Sequence, residues 1–135
     1  LLLLFLANEG LTDIATDLIL YITVRKKERN MQIEVIHSAF EDEAEHVANV
    51  AAPQADVMEA LEYAFRYTNN VEGSWSMKVG GDSNDDVEVV KPLYKGRGHR
   101  STSVGDHMRV GDQLYIVAGM GFKPVTEIKM QEHCI

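Results

Sequence analysis

The side chains best suited to chemistry fall in four places. Asp82-Ser83-Asn84-Asp85-Asp86-Val87-Glu88 sets oxygen donors at alternating positions, as a calcium-binding loop does. The full calcium pattern requires Gly at its sixth position and Glu at its twelfth, where Val87 and Leu93 stand here. A solvated acidic loop is the better reading. Glu127-Ile128-Lys129 is the Glu-x-Lys of one class of metal-dependent nucleases, which also need an upstream Asp on an adjoining strand. Asp112 is available in sequence but falls in an expected turn. His99, Ser101, Ser103, Asp106 and His107 gather in one short run. In a single strand His99, Ser101 and Ser103 would share a face by alternation, either a polar binding face or the wet side of a sheet. A Ser–His–Asp relay needs geometry from separate elements, which adjacency does not supply. Asp106, after Gly105, is placed to bond the backbone of its own turn. Trp75 lies in a polar stretch, where it can anchor a partner or cap the core. Gly96-Arg97-Gly98 lacks the longer phosphate-loop pattern and its lysine. No cofactor motif is present, and neither a cofactor nor a metal is expected.

The elements that must hold these groups can be traced along the chain. Met31, Ile33 and Val35 alternate with Gln32 and Glu34, so 31–37 reads as a strand, and 46–51 as a second pairing back on it. The clearest element is a helix over 53–68. Pro53 suits its first position. Val57, Ala60, Leu61, Ala64 and Phe65 make one apolar face, and Glu62 and Arg66 stand at i, i+4 in the favourable order. Asn69-Asn70 stops it, because Asn tolerates the left-handed conformation. Residues 73–86 read as loop, and 87–93 as a short strand stopped by Pro92. Segments 106–110 and 114–118 form a hairpin. A three-residue loop would pair Val110 with Leu114 and Met108 with Ile116, placing all four on one face, so that register is expected. Segment 125–130 is expected as an edge strand. The expected core includes Ile33, Val35, Val57, Leu61, Ala64, Phe65, Val89, Val104, Val110, Leu114, Ile116 and Phe122.

Composition narrows the class. The chain has 135 residues, 45% hydrophobic and 25% charged, which suits one globular domain. Lys plus Arg total 13 against 21 Asp plus Glu, a net charge of −8, which argues against direct nucleic-acid or membrane binding. The one Cys, Cys134, excludes an internal disulfide framework. The leucine-rich opening lacks the basic start and small-residue cleavage site of a secretory signal. Asn8, Glu9, Asp13 and Asp17 interrupt it too often for a membrane span. Residues 1–30 admit two readings. One is an amphipathic helix over 11–29, with Leu11, Ile14, Ala15, Leu18, Ile19 and Ile22 on one face. The other is upstream sequence translated in frame, since Met31 opens a clean domain and Lys27-Glu28 can be encoded as a ribosome-binding sequence. The whole net charge lies in 31–135.

Two blocks are more specific. Arg100-Ser101-Thr102-Ser103-Val104-Gly105-Asp106 precedes a hairpin containing Tyr115 and ending in Gly121-Phe122. This resembles the YodL-like family and related small domains of phages and conjugative elements, where an Arg-Ser-x-Ser-Val-x-Asp run precedes a hairpin ending in Gly-Phe. Ala64-Phe65-Arg66-Tyr67-Thr68-Asn69-Asn70-Val71-Glu72-Gly73-Ser74-Trp75 is similar to small phage proteins with an aromatic-Thr-Asn-Asn stretch before Gly-Ser-Trp. The resemblance implies an α+β domain on mobile DNA and brings no established reaction, so it assigns no catalytic residue. The acidic 82–88 region departs from that pattern.

The expectation is a single α+β domain over 31–135, a small antiparallel sheet packed on the helix 53–68. Its expected function is that of a non-enzymatic, cytoplasmic accessory protein of a bacteriophage or mobile element, binding a host or phage protein. The expected binding surface is Trp75 with Arg100, Ser101, Ser103 and Asp106. The alternatives are an acidic DNA mimic acting against restriction and a metal-dependent nuclease around Glu127 and Lys129.

Overall fold

The computed structural model describes residues 11–93 and 96–130; Cys134 and the leucines of 1–6 lie outside them. The chain divides into two units, Leu1–Asn30 and Met31–Ile135. The first contains helix α1, Leu11–Arg29. Its apolar residues do not collect on one face. Leu20 and Val24 fall on the same side as Asp13 and Asp17, and Ile14, Leu18, Ile19, Leu20, Tyr21, Ile22 and Val24 are all exposed. The expected amphipathic stripe is thus an apolar surface running round the helix. No helix among the described residues is long and apolar enough to cross a membrane.

The second unit is α+β. Strands β1 (Met31–His37), β2 (Glu45–Ala52), β5 (Val87–Val89), β6 (His107–Val110), β7 (Gln113–Val117) and β8 (Phe122–Val125) form a sheet ordered β5-β2-β1-β6-β7-β8. Every pairing in it is antiparallel. A small hairpin, β3 (Gly73–Ser74) with β4 (Val79–Gly80), lies in the stretch expected to be loop. Helix α2, Val57–Tyr67, packs on β1 and β2. It buries Ala60, Leu61 and Ala64, and the two alanines allow close approach to Ile33, Val35, Ala48 and Val50.

Several local expectations are corrected. Helix α2 begins four residues after Pro53, because Asp56 caps it: its carboxylate accepts the Glu59 amide at 3.0 Å. The helix stops without a left-handed residue. Thr68 returns its hydroxyl and amide to the last turn, and the Asn69 side chain donates to Phe65 O. Arg66 pairs with Asp82 rather than Glu62. The β6–β7 hairpin turns on two residues, Gly111 and Asp112, pairing Val110 with Gln113 and Met108 with Tyr115. Gly111 adopts φ 58, which a two-residue turn needs at its first position and Gly supplies without strain. This register sends Met108 and Val117 to the helix side and Leu114 to the far side, and all three are buried. The edge strand is Phe122–Val125, earlier than expected, since Pro124 tolerates an edge position. Val104 is 56% exposed and leaves the core, whereas Val47, Val50, Trp75 and Met108 join it. Val47 enters through a bulge, where Val35 pairs with Ala48 but Ile36 with His46.

Candidate functional site

Residues 99–106 do not form a strand, so His99, Ser101 and Ser103 share no strand face. The segment instead closes on itself. Arg100 donates to both Asp106 oxygens at 2.7 Å, to Glu41 at 2.8 and 3.1 Å, and to Ser101 O at 2.8 Å. These bonds engage all five guanidinium donors. Asp106, with a fully buried side chain, also accepts the amides of Ser38 (2.8 Å), Ala39 (2.9 Å) and Ser103 (2.8 Å). The expected bond to its own turn is the last of these. The guanidinium lies 4.9 Å from the centre of the Phe40 ring. One ion pair thus joins the end of β1, the 99–106 segment and the start of β6. Burial pushes the Asp106 carboxyl up, but Arg100 and the three amides outweigh it and hold it below the usual range. The same bonds raise the Arg100 guanidinium against its own burial.

The second block is bonded to the first. Thr102 N donates to Thr68 O at 2.9 Å, and Asn70 N to Ser101 Oγ at 2.8 Å. The Asn70 amide donates to His99 O at 3.0 Å and accepts Trp75 N at 2.9 Å. Trp75 Nε1 donates to Arg100 O at 2.9 Å. The Trp75 ring is fully buried, stacked on His99 at 5.6 Å and edge-on to His37 at 6.3 Å. It is a core residue and not a surface anchor. The polar atoms of Ser101 and Ser103 also serve internal bonds.

Two histidines are fixed as neutral tautomers by their networks. Thr68 donates to Ala64 O, and Thr102 donates to Thr68. A hydroxyl has one proton, so His37 Nε2 must be the donor to Thr102 Oγ1 at 3.0 Å. Burial dominates the pKa of His37; Asp106 opposes it, and the group titrates at about 4. His107 Nε2 accepts the Lys129 amide at 3.0 Å, so its Nδ1 carries the proton toward Ser38 Oγ at 2.7 Å. Ser38 passes its own to Gly105 O. Sequence reading missed this Ser–His pair because its members are 69 positions apart. It is not a nucleophile and base: Ser38 is fully buried, and the base nitrogen is occupied by a backbone amide.

The other candidates resolve similarly. Asp82 is buried and accepts the amides of Val71 and Glu72 and the Arg66 guanidinium. Burial raises its carboxyl, but those donors hold it low. Asp86 takes the Tyr63 hydroxyl at 2.6 Å. Burial, with Asp86 adding to it, pushes that hydroxyl up to about 12. Lys78 donates its ammonium to Asn84 O and Val87 O, so a cation of the chain already serves this loop. Among the described residues no group of three His, Cys, Asp or Glu is arranged to hold a metal. Glu127 is exposed and follows β8 rather than lying in a strand. Carboxylates stand on both sides of the sheet: Glu34 and Glu88 on the far face, Glu59 and Glu62 on α2.

A cleft of about 260 Å³ opens between α2 and the β7–β8 turn. Phe65, Val104, Val117, Ala118 and Phe122 line it, with Glu62 contributing a carboxylate. Met120, on the turn itself, is 92% exposed. Comparison with known proteins found no matching family model, no matching curated protein and no matching solved structure.

Proposed function

We propose that residues 31–135 form a non-enzymatic accessory protein of a bacteriophage or other mobile genetic element, acting in the host cytoplasm by binding another protein of host or phage. The observation that carries this reading is the full internal use of the Arg100–Asp106 constellation. All five donors of Arg100 and both oxygens of Asp106 bond within the fold. Groups so engaged build a scaffold, and neither Arg100 nor Asp106 is left free to act on a substrate. The surface suited to recognition is instead the apolar cleft beside Met120, since exposed apolar recesses mark interaction sites. The mobile-element origin rests on the two sequence blocks, and replication, packaging or anti-restriction neighbours on the source DNA would support it.

The test is a photo-crosslinking residue at position 104, introduced into the full chain in cells carrying the element. A specific crosslinked protein is expected there and not from position 88 on the opposite face. Recovery of nucleic acid alone would overturn the reading.

A further inference from the structure

The cleft has an electrostatic feature that narrows the partner. Glu62 lines it beside five apolar side chains. The helix offers Arg66 as its i+4 partner, but Arg66 reaches Asp82 at 3.1 Å and lies over the Tyr67 ring at 4.9 Å. Among the described residues Glu62 has no hydrogen-bond or ion-pair partner. Glu59, one turn earlier, is also exposed, and 31–135 carries the chain's whole net charge of −8. The recess accommodates one large apolar side chain, and its rim presents an unneutralised carboxylate.

We infer that the cleft receives a basic segment of another protein. One aliphatic or aromatic side chain enters between Phe65, Val104 and Phe122, and a flanking Lys or Arg pairs with Glu62. This rests on the protein-binding reading above and adds the chemistry of the partner. The acidic field of the domain steers a basic segment inward, and the apolar anchor fixes its position. A second copy of this chain is the less suitable occupant, because two domains of the same negative charge repel.

The experiment titrates the full chain with three synthetic twelve-residue peptides, followed by amide NMR shifts. One carries a central Leu flanked by lysines, one the same Leu flanked by glutamates, and one lysines without the Leu. The Lys-flanked Leu peptide should bind tightest and shift the amides of Phe65, Val104, Gly119 and Phe122. Glu62→Gln should weaken it roughly two- to fivefold, as loss of an exposed ion pair does. Glu62→Lys should reverse the preference toward the Glu-flanked peptide. Val104→Asp, at an exposed position, should abolish binding of both Leu peptides while the far-face amides keep their shifts. If the two Leu peptides bind equally, the basic partner is refuted and the protein-binding cleft stands. If none shifts the cleft residues, both fail. Concentration-dependent shifts at Met120 without peptide would refute the inference in favour of self-association.

Discussion

Asp106→Asn is the sharpest perturbation of the scaffold. The substitution keeps the shape but replaces one acceptor oxygen with a donating amide. In its better orientation the remaining oxygen still accepts the Ser38 and Ala39 amides. The new NH₂ then faces the Ser103 amide and Arg100, which lay 2.8 and 2.7 Å from the lost oxygen. Two donors meet a donor, and the guanidinium loses its buried counter-charge. An unsatisfied buried donor costs about 1–3 kcal/mol. Breaking a buried ion pair costs about 3–5 kcal/mol. We therefore expect a loss of about 3–5 kcal/mol, a large part of the 5–15 kcal/mol typical of a domain. Urea unfolding followed by Trp75 fluorescence measures it, since that ring is fully buried in the fold. The melting temperature should fall by more than about 10 °C. Glu41→Gln is the control. The Arg100 and Glu41 side chains are 28% and 21% exposed, and Arg100 keeps Asp106, so the cost should stay near 1 kcal/mol or below. A change under about 1 kcal/mol for Asp106→Asn, or equal costs for the two variants, would refute the reasoning.

Further outcomes follow from the structure. Folded His37 titrates at about 4 against a reference value of 6.5, so between those limits the unfolded chain binds the proton first. Stability should be full above pH 6.5 and fall by about 3 kcal/mol toward pH 4, and His37→Gln should flatten that slope in urea midpoints. Long-range ¹⁵N correlation spectra should find the Nε2–H form of His37 and the Nδ1–H form of His107; the opposite tautomers would contradict the networks. Burial lowers the His107 pKa, with Asp106 opposing, and protonation of Nε2 removes the acceptor of the Lys129 amide, so its exchange protection should drop in acid. Gly73→Ala should destabilise by about 1–3 kcal/mol, because its Cβ would run into the backbone carbonyl of Val79, which cannot move aside cheaply. Gly81→Ala should cost much less, since the atom in its way is the movable carboxylate of Glu72.

The fold was legible where one periodicity dominated. Strand β1 and the apolar face of α2 follow from alternation and helical spacing, and the structure has both. Helix α2 starts later than Pro53 suggests, because a second sequence signal sets its start, Asp56 followed three residues later by Glu59. The hairpin register departs from expectation for a different reason. Assigning apolar residues to a single buried face works when only one face is covered. Here Met108 and Leu114 are both buried on opposite faces, so the apolar pattern no longer selects the register. Trp75 could not be placed at all, because its burial depends on His37 and Arg100, distant in sequence.

The candidate site was legible as a cluster but not as a role. Arg100 and Asp106 bracket a loop whose last turn passes through Gly105 at φ 96, a conformation L side chains rarely adopt. That turn brings the two ends of the block together, so charged residues six positions apart meet each other. The same closure directs the Thr102 hydroxyl and amide to Thr68 and the Arg100 carbonyl to Trp75. The spacing within the Arg100–Asp106 block lets its ends close, and in this chain each block bonds the other's buried polar groups. A pattern of Arg, Ser and Asp that reads as a binding surface in the linear sequence is, in this fold, the means of joining two loops to one sheet. The closure leaves Val104 as the residue of that block turned outward, into the wall of the cleft.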